Sequence, residues 1–323
     1  MSIAVNEIRS FWMPGLNEIV GKQKFSLAQW LIRQKYYIYS PISQNQFVLD
    51  LQTKNFINDM LCSFAYDCNR MASAAFETMF SIERSQKIPK SIAWLIIKSY
   101  YAAFFAGQTI IRILGISCSQ LNQDSVSKIY EIAKLYENDS GLLKLPSSYY
   151  SCIYNKNTKQ MSFHNIKSKG GVHESFWKVF YERIKELGKQ MLASPVIVSE
   201  SQDVFRKLDE LCQILSFRGH NNGNWLSAVR NKVNYRHELG VWFPHRISQQ
   251  NVRDIYRQSI SWLDDPMKIN LVIQPRKPVI LFVSACNFIV SLCRVIILDM
   301  SERCSKGKSY LKDGSIKLLN QCT

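Results

Sequence analysis

One short stretch of the chain concentrates residues able to handle a phosphate. It reads Arg230-Asn231-Lys232-Val233-Asn234-Tyr235-Arg236-His237-Glu238. An imidazole exchanges protons near neutral pH and so serves as a general base or a general acid. A guanidinium grips a phosphate through two parallel N–H bonds and offsets charge building on its non-bridging oxygens. RNA carries its own nucleophile, the 2′-hydroxyl. A base takes its proton, the oxygen attacks phosphorus, and an acid protonates the departing 5′-oxygen, with no metal required. Arg230 and His237 are the candidates for grip and proton transfer. Asn231 adds a neutral donor and acceptor beside the arginine, and Lys232 and Arg236 add positive charge for the flanking RNA backbone.

A helix from about Trp225 to Gly240, with Asn224 as N-cap, is the element expected to position these groups. Seven steps along a helix return to within about 20° of the same face, about 10 Å further on. Both side chains would then converge on one phosphate. The same spacing is also met by a solvated helix face whose terminal histidine complements the helix dipole. Arg253 and Arg257, four residues apart on a further helix expected over Ser248–Leu263, would present a second basic face suited to a phosphate track. Arg218 and His220, in the loop before the motif helix, could contact RNA but read more simply as loop residues; Arg246 follows the motif helix with Arg253 and Arg257, for which a solvated face is the alternative.

The remaining periodicity is helical. Helices are expected over Leu27–Tyr39, Phe56–Phe80, Ser91–Leu114 with Gly115 as its stop, Ser125–Tyr136, His173–Leu192, Ser201–Phe217 and Pro278–Ser301. The Ser91–Leu114 helix is apolar nearly all round and so belongs at the centre of the core. Its Tyr100, Tyr101, Phe104 and Phe105 read first as core, with Tyr100 or Tyr101 able to bring a hydroxyl towards the motif helix. Residues 138–171 are turn-rich and hold Lys156, Lys159, Lys167 and Lys169. They read as a basic insertion with short strands near Tyr149–Ile153 and Met161–His164, and an isolated strand is allowed near Gln46–Leu51.

Composition narrows the function classes. The 323 residues are 46% hydrophobic and 20% charged, which excludes a mainly disordered chain. The net charge is +16, and most of the excess falls after residue 150. A basic half points to a polyanionic partner. Nine cysteines without a CxxC pair read as reduced thiols rather than a disulfide frame or zinc site. His164 and His173 are the closest approach to a metal pair, and no carboxylate or cysteine stands at a suitable spacing beside them, so neither metal nor cofactor is expected. Phosphate-loop, dinucleotide, nucleophile-elbow and HExxH patterns are absent from the sequence. The apolar run Val279–Cys293 is shorter than the ~20 residues a span needs. With no signal-peptide pattern at the N-terminus, a cytoplasmic chain without stable membrane association is expected.

Two segments together carry a family resemblance. IKSYYAAFFAGQTIIRILG (Ile97–Gly115) resembles the early helix of HEPN domains, and RNKVNYRH (Arg230–His237) resembles their signature of an arginine followed after four to six residues by histidine, commonly with a polar residue next to the arginine. Here that residue is Asn231, and the gap of six is the longest of the pattern. A gap of four would put Tyr235 at the histidine position. The resemblance covers about 45 residues directly, leaving 1–55 and 138–171 unexplained. It implies a helical bundle; the whole chain is accordingly expected to be all-α, a HEPN-like helical bundle over 56–302 beside a small N-terminal element at 1–55, the basic insertion at 138–171 and a basic tail at 303–323. It also implies a homodimer whose two motifs form one composite site. The activity implied is metal-independent RNA cleavage leaving a 2′,3′-cyclic phosphate, tRNA included among substrates, in a prokaryotic toxin or antiphage-defence setting with an antitoxin or other regulatory partner. Some members of the superfamily only bind, so a non-catalytic module for nucleic acid or a partner protein is the alternative.

Overall fold

The computed structural model describes residues 2–33, 35–38, 42–43, 45–83, 91–135, 145–166, 170–193, 199–243 and 249–321. In chain order the elements are α1 (Ile3–Ile8), α2 (Leu27–Ile32), β1 (Tyr37–Ile38), β2 (Gln46–Asp50), α3 (Lys54–Glu83), α4 (Ala93–Ile113), β3 (Ile116–Leu121), α5 (Gln123–Leu135), β4 (Ser148–Asn155), β5 (Gln160–Asn165), α6 (Gly171–Leu192), α7 (Ser199–Leu215), α8 (Trp225–Arg236), α9 (Gln249–Ser259), α10 (Pro278–Glu302) and α11 (Ser315–Asn320).

A helix apolar on every side must be surrounded, and α4 is. It packs against α3, α10, α6 and α8, and its C-terminal end meets β3. Gly115 takes φ +81°, which ends α4 and turns the chain into β3. Gly107 lets α6 approach closely: a Cβ there would stand 3.0 Å from Phe176 Cζ and 3.3 Å from Phe180 Cε2.

The all-α expectation is corrected. The fold is largely helical, with one five-stranded antiparallel sheet in the order β1-β2-β5-β4-β3. The sheet is not confined to the N-terminal element. The strand near Gln46–Leu51 is not isolated, because Phe47 pairs with Phe163 of β5 and their rings stack at 4.4 Å. The helix expected over Leu27–Tyr39 stops at Ile32, and Tyr37–Ile38 forms a strand instead. In the insertion, residues 145–166 supply β4 and β5, with Lys156 and Lys159 in their exposed turn. Lys167, Lys169 and Arg246 lie outside the described residues. The tail past 303 is folded in: Asn69 of α3 accepts from Ser315 N at 2.9 Å and donates to Tyr310 O at 3.0 Å.

Among the described residues one helix, α10, is long and apolar enough to cross a membrane, and 83% of its most apolar window is buried within the structure. Its polar residues share a purpose. Asn287 donates to Gln258 O and to Ser261 Oγ, Ser291 Oγ donates to Asp264 O at 2.6 Å, and Arg294 Nη2 donates to Asp264 O at 3.1 Å. All three satisfy the turn that follows α9. Buried polar groups are costly unless paired; these donors are paired within the protein, while Asn287 Oδ1 and Arg294 Nε are buried without a partner. Cys62, Cys68, Cys118, Cys152, Cys212, Cys286, Cys293 and Cys304 are free thiols.

Candidate functional site

Arg230 is held before any ligand arrives. It sits on the penultimate turn of α8, half-buried. Its Nη2 donates to the Tyr101 hydroxyl at 2.7 Å and its Nη1 to Asn231 Oδ1 at 2.9 Å. Three phenol rings surround the guanidinium: Tyr235 at 5.3 Å, Tyr101 at 5.6 Å and Tyr100 at 5.9 Å from ring centroid to Cζ. Such contacts stabilise a cation by about 0.5–1 kcal/mol each at exposed sites. Burial opposes the arginine's charge, but the Tyr101 bond and the surrounding phenols outweigh it, so its pKa is raised rather than lowered. Its Nε is buried and unpartnered.

Behind Arg230 lies a polar chain inside an aromatic wall. Trp177 Nε1 donates to the Tyr100 hydroxyl at 3.0 Å, and that hydroxyl shares a second bond with His173 Nδ1 at 3.0 Å. Phe104 lies 4.6 Å from the His173 ring. Burial, with the nearby Arg230 charge, pushes His173 down to about 4, so the ring is neutral at pH 7. Burial pushes the Tyr100 hydroxyl up. α4 and α6 therefore brace the motif helix from below, through Tyr101 directly and through Tyr100, His173 and Trp177 as a packed floor.

His237 departs from the expected geometry. The helix ends at Arg236, not at Gly240. His237 takes φ 51° and ψ 29°, and the amides of both His237 and Glu238 turn back onto Lys232 O, the latter at 3.1 Å. This is a left-handed helix stop, a conformation histidine adopts more readily than most residues. The chain leaves helical register at His237 itself, so the seven-step convergence with Arg230 does not apply. The ring is exposed and lies 5.7 Å from Trp242, whose Nε1 donates to Val233 O at 2.9 Å. Trp94 meets Trp242 edge-on at 5.6 Å. Trp242 thus caps the last turn of α8 and supports the histidine at its rim. Leu239 also has positive φ, 72°. Two positive-φ residues within three non-glycine positions are uncommon, and such departures tend to collect at functional sites.

The other motif residues are placed as follows. Lys232 and Arg236 reach Glu238 at 3.7 and 3.8 Å in solvent-exposed ion pairs, each worth less than about 1 kcal/mol and easily exchanged for a phosphate. Arg253 and Arg257 are exposed on α9, which packs on α10 and α4. Asn224 does not cap α8 with its side chain; Oδ1 pairs with His220 Nδ1 at 3.0 Å instead. Arg218, also at positive φ, donates to Pro275 O at 3.1 Å. His164 is exposed on β5, while His173 stands against Tyr100, and no cluster of three or more His, Cys, Asp or Glu able to hold a metal occurs among the described residues.

Sequence reasoning missed His173 and Trp177 as parts of this cluster, and took Tyr235 only as an alternative for the histidine position. The signal available was the YY pair on α4. Its first hydroxyl is fully buried and needs partners, and α6 supplies them. Comparison with protein-family models, with curated proteins and with solved structures gives no significant match.

Proposed function

We propose that this chain is a metal-independent endoribonuclease of HEPN type that cleaves RNA, tRNA among its candidate substrates, by attack of the 2′-hydroxyl. The observation that carries the reading is the preorganised Arg230, fixed by Tyr101 and Asn231 at the rim of α8 with an exposed histidine closing the same helix. An arginine oriented in advance loses less freedom on gripping a phosphate. In this reading Arg230 holds the scissile phosphate with Asn231 beside it, and His237 exchanges the proton. Lys232, Arg236, Arg253 and Arg257 carry the flanking backbone. Exposed Tyr235 and Trp94 offer rings for unstacked bases. Because α8 ends before His237, a homodimer that brings His237 of one protomer to Arg230 of the other suits the chemistry. The chain is read as cytoplasmic, in a toxin or antiphage-defence role with a regulatory partner.

A non-catalytic binding module is the second reading. It is favoured by one observation: Nη1 and Nη2 of Arg230 already have partners within the protein. The two readings separate in one comparison. Purified His237→Ala, folded as wild type, is expected to keep RNA affinity while losing cleavage by about two orders of magnitude or more. Arg230→Ala is expected to lose both. Full cleavage by folded His237→Ala sinks the nuclease reading; tight binding with no cleavage by any form supports the module.

A further inference from the structure

At the far end of the α4–α6 pair lies a cavity of about 410 Å³, within the range of small-molecule sites. Measured along the helices at 1.5 Å per residue, Arg183 stands about 15 Å from His173 and Leu114 about 20 Å from Tyr101. The cavity is therefore separate from the Arg230 cluster.

Its walls come from four chain segments, and backbone hydrogen bonds tie three of them together. Met13 N donates to Ile113 O at 2.7 Å, and Tyr154 N donates to Gly115 O at 3.0 Å. The N-terminal wall is anchored again where Arg9 grips Asp299 of α10 through Nε at 2.8 Å and Nη2 at 3.1 Å. The cavity is thus built into the fold rather than being a crease between loose loops.

The chemistry of the lining is specific. Phe11, Trp12 and Tyr154 supply flat apolar surface, Lys156 and Arg183 supply positive charge, and Gln190 supplies an amide. No carboxylate lines it among the described residues. Two of the lining N–H donors, Trp12 Nε1 and Arg183 Nε, are buried and have no hydrogen-bond partner. Leaving a buried donor unmade costs about 1–3 kcal/mol, so the wall around Trp12 and Arg183 carries unmet polar groups. Burial also lowers the Arg183 pKa, against the charge of Glu186 one turn on; an incoming anion would relieve that penalty.

We propose that this cavity binds a nucleotide, its base against the aromatic wall and its phosphate on Arg183 and Lys156. The proposal does not depend on the nuclease reading. The shared ligand chemistry has two sources, a free mononucleotide and a nucleotide within RNA.

Isothermal titration of the full chain tests it, using AMP, GMP, CMP, UMP, the matching nucleosides, inorganic phosphate and a tetranucleotide. Saturable binding of at least one mononucleotide is expected, weaker for the nucleoside and for phosphate alone. Arg183→Gln should weaken it roughly tenfold. If only the tetranucleotide binds and Arg183→Gln weakens it, the nucleotide belongs to RNA. Lys156→Gln, in an exposed turn, gives the same reading at smaller amplitude should Arg183→Gln not fold. The proposal is overturned if nothing saturates by about 10 mM, or if folded Arg183→Gln and Lys156→Gln both bind as wild type.

Discussion

At the scale of residues, the site rests on how one guanidinium is held. Tyr101 gives Arg230 its orientation, and the phenol is otherwise half-buried against α6. Tyr101→Phe removes one oxygen and little volume. It is expected to slow RNA cleavage about tenfold while shifting thermal unfolding only slightly, because the loss is one charge-assisted bond. A kinetic assay beside a melting curve reads both. His173 makes a different statement. Its folded pKa of about 4 lies below its ordinary 6.5, so between those values the unfolded chain binds a proton that the folded chain refuses. Its contribution is intact above about pH 6.5 and is lost as pH falls towards 4. Urea midpoints at pH 7 and pH 5 should therefore diverge more for wild type than for His173→Gln. Equal divergence would mean that the ring is not held neutral against Tyr100.

At the scale of elements, α4 and α6 do the positioning, and Gly107 sets their spacing. Any larger side chain there meets Phe176 and Phe180 within 3.0–3.3 Å. Gly107→Leu is expected to cost about 1–3 kcal/mol by overpacking, read as a lowered denaturation midpoint, and to disturb His173 and Arg183 together because α6 carries both. Much of this helical framework was legible. The all-round apolar run with Gly115 behind it placed α4 and its end. Of the polar residues within the apolar run of α10, Asn287 and Ser291 are met by the end of α9 and the turn after it. The sheet was not legible as a whole, for a physical reason. β2 finds its partner β5 more than a hundred residues later, and no local period encodes that pairing. The end of α8 was misjudged because nothing in NYRHELG announces a stop before Gly240. The left-handed turn at His237 is fixed by Trp242 bonding Val233 O, a contact across nine residues. The motif was therefore found by type and spacing, while the geometry argued from that spacing was not what the fold uses.

At the scale of the whole molecule, the surplus of 41 basic over 25 acidic residues sets how the chain meets polyanions. Affinity for single-stranded RNA should fall linearly in logarithm with salt, by a slope of about 0.7 per phosphate contacted. Lys232→Ala and Arg236→Ala should each flatten that slope by about 0.7 without changing which sequences bind. Filter binding between low and physiological salt checks it, and an unchanged slope in both variants would remove the α8 rim from the RNA path. The Arg230 cluster and the cavity at Arg183 lie apart along the α4–α6 pair, so each proposed site can be tested while the other is disabled.

The central claim is that Arg230 and His237 cleave RNA without metal. Its most direct measurement is the 3′-end chemistry of RNA fragments made by the wild-type chain in EDTA, with His237→Ala alongside. Wild type is expected to give 2′,3′-cyclic phosphate ends and the variant none. Fragments that require a divalent ion, or cyclic ends produced equally by folded His237→Ala, would contradict it.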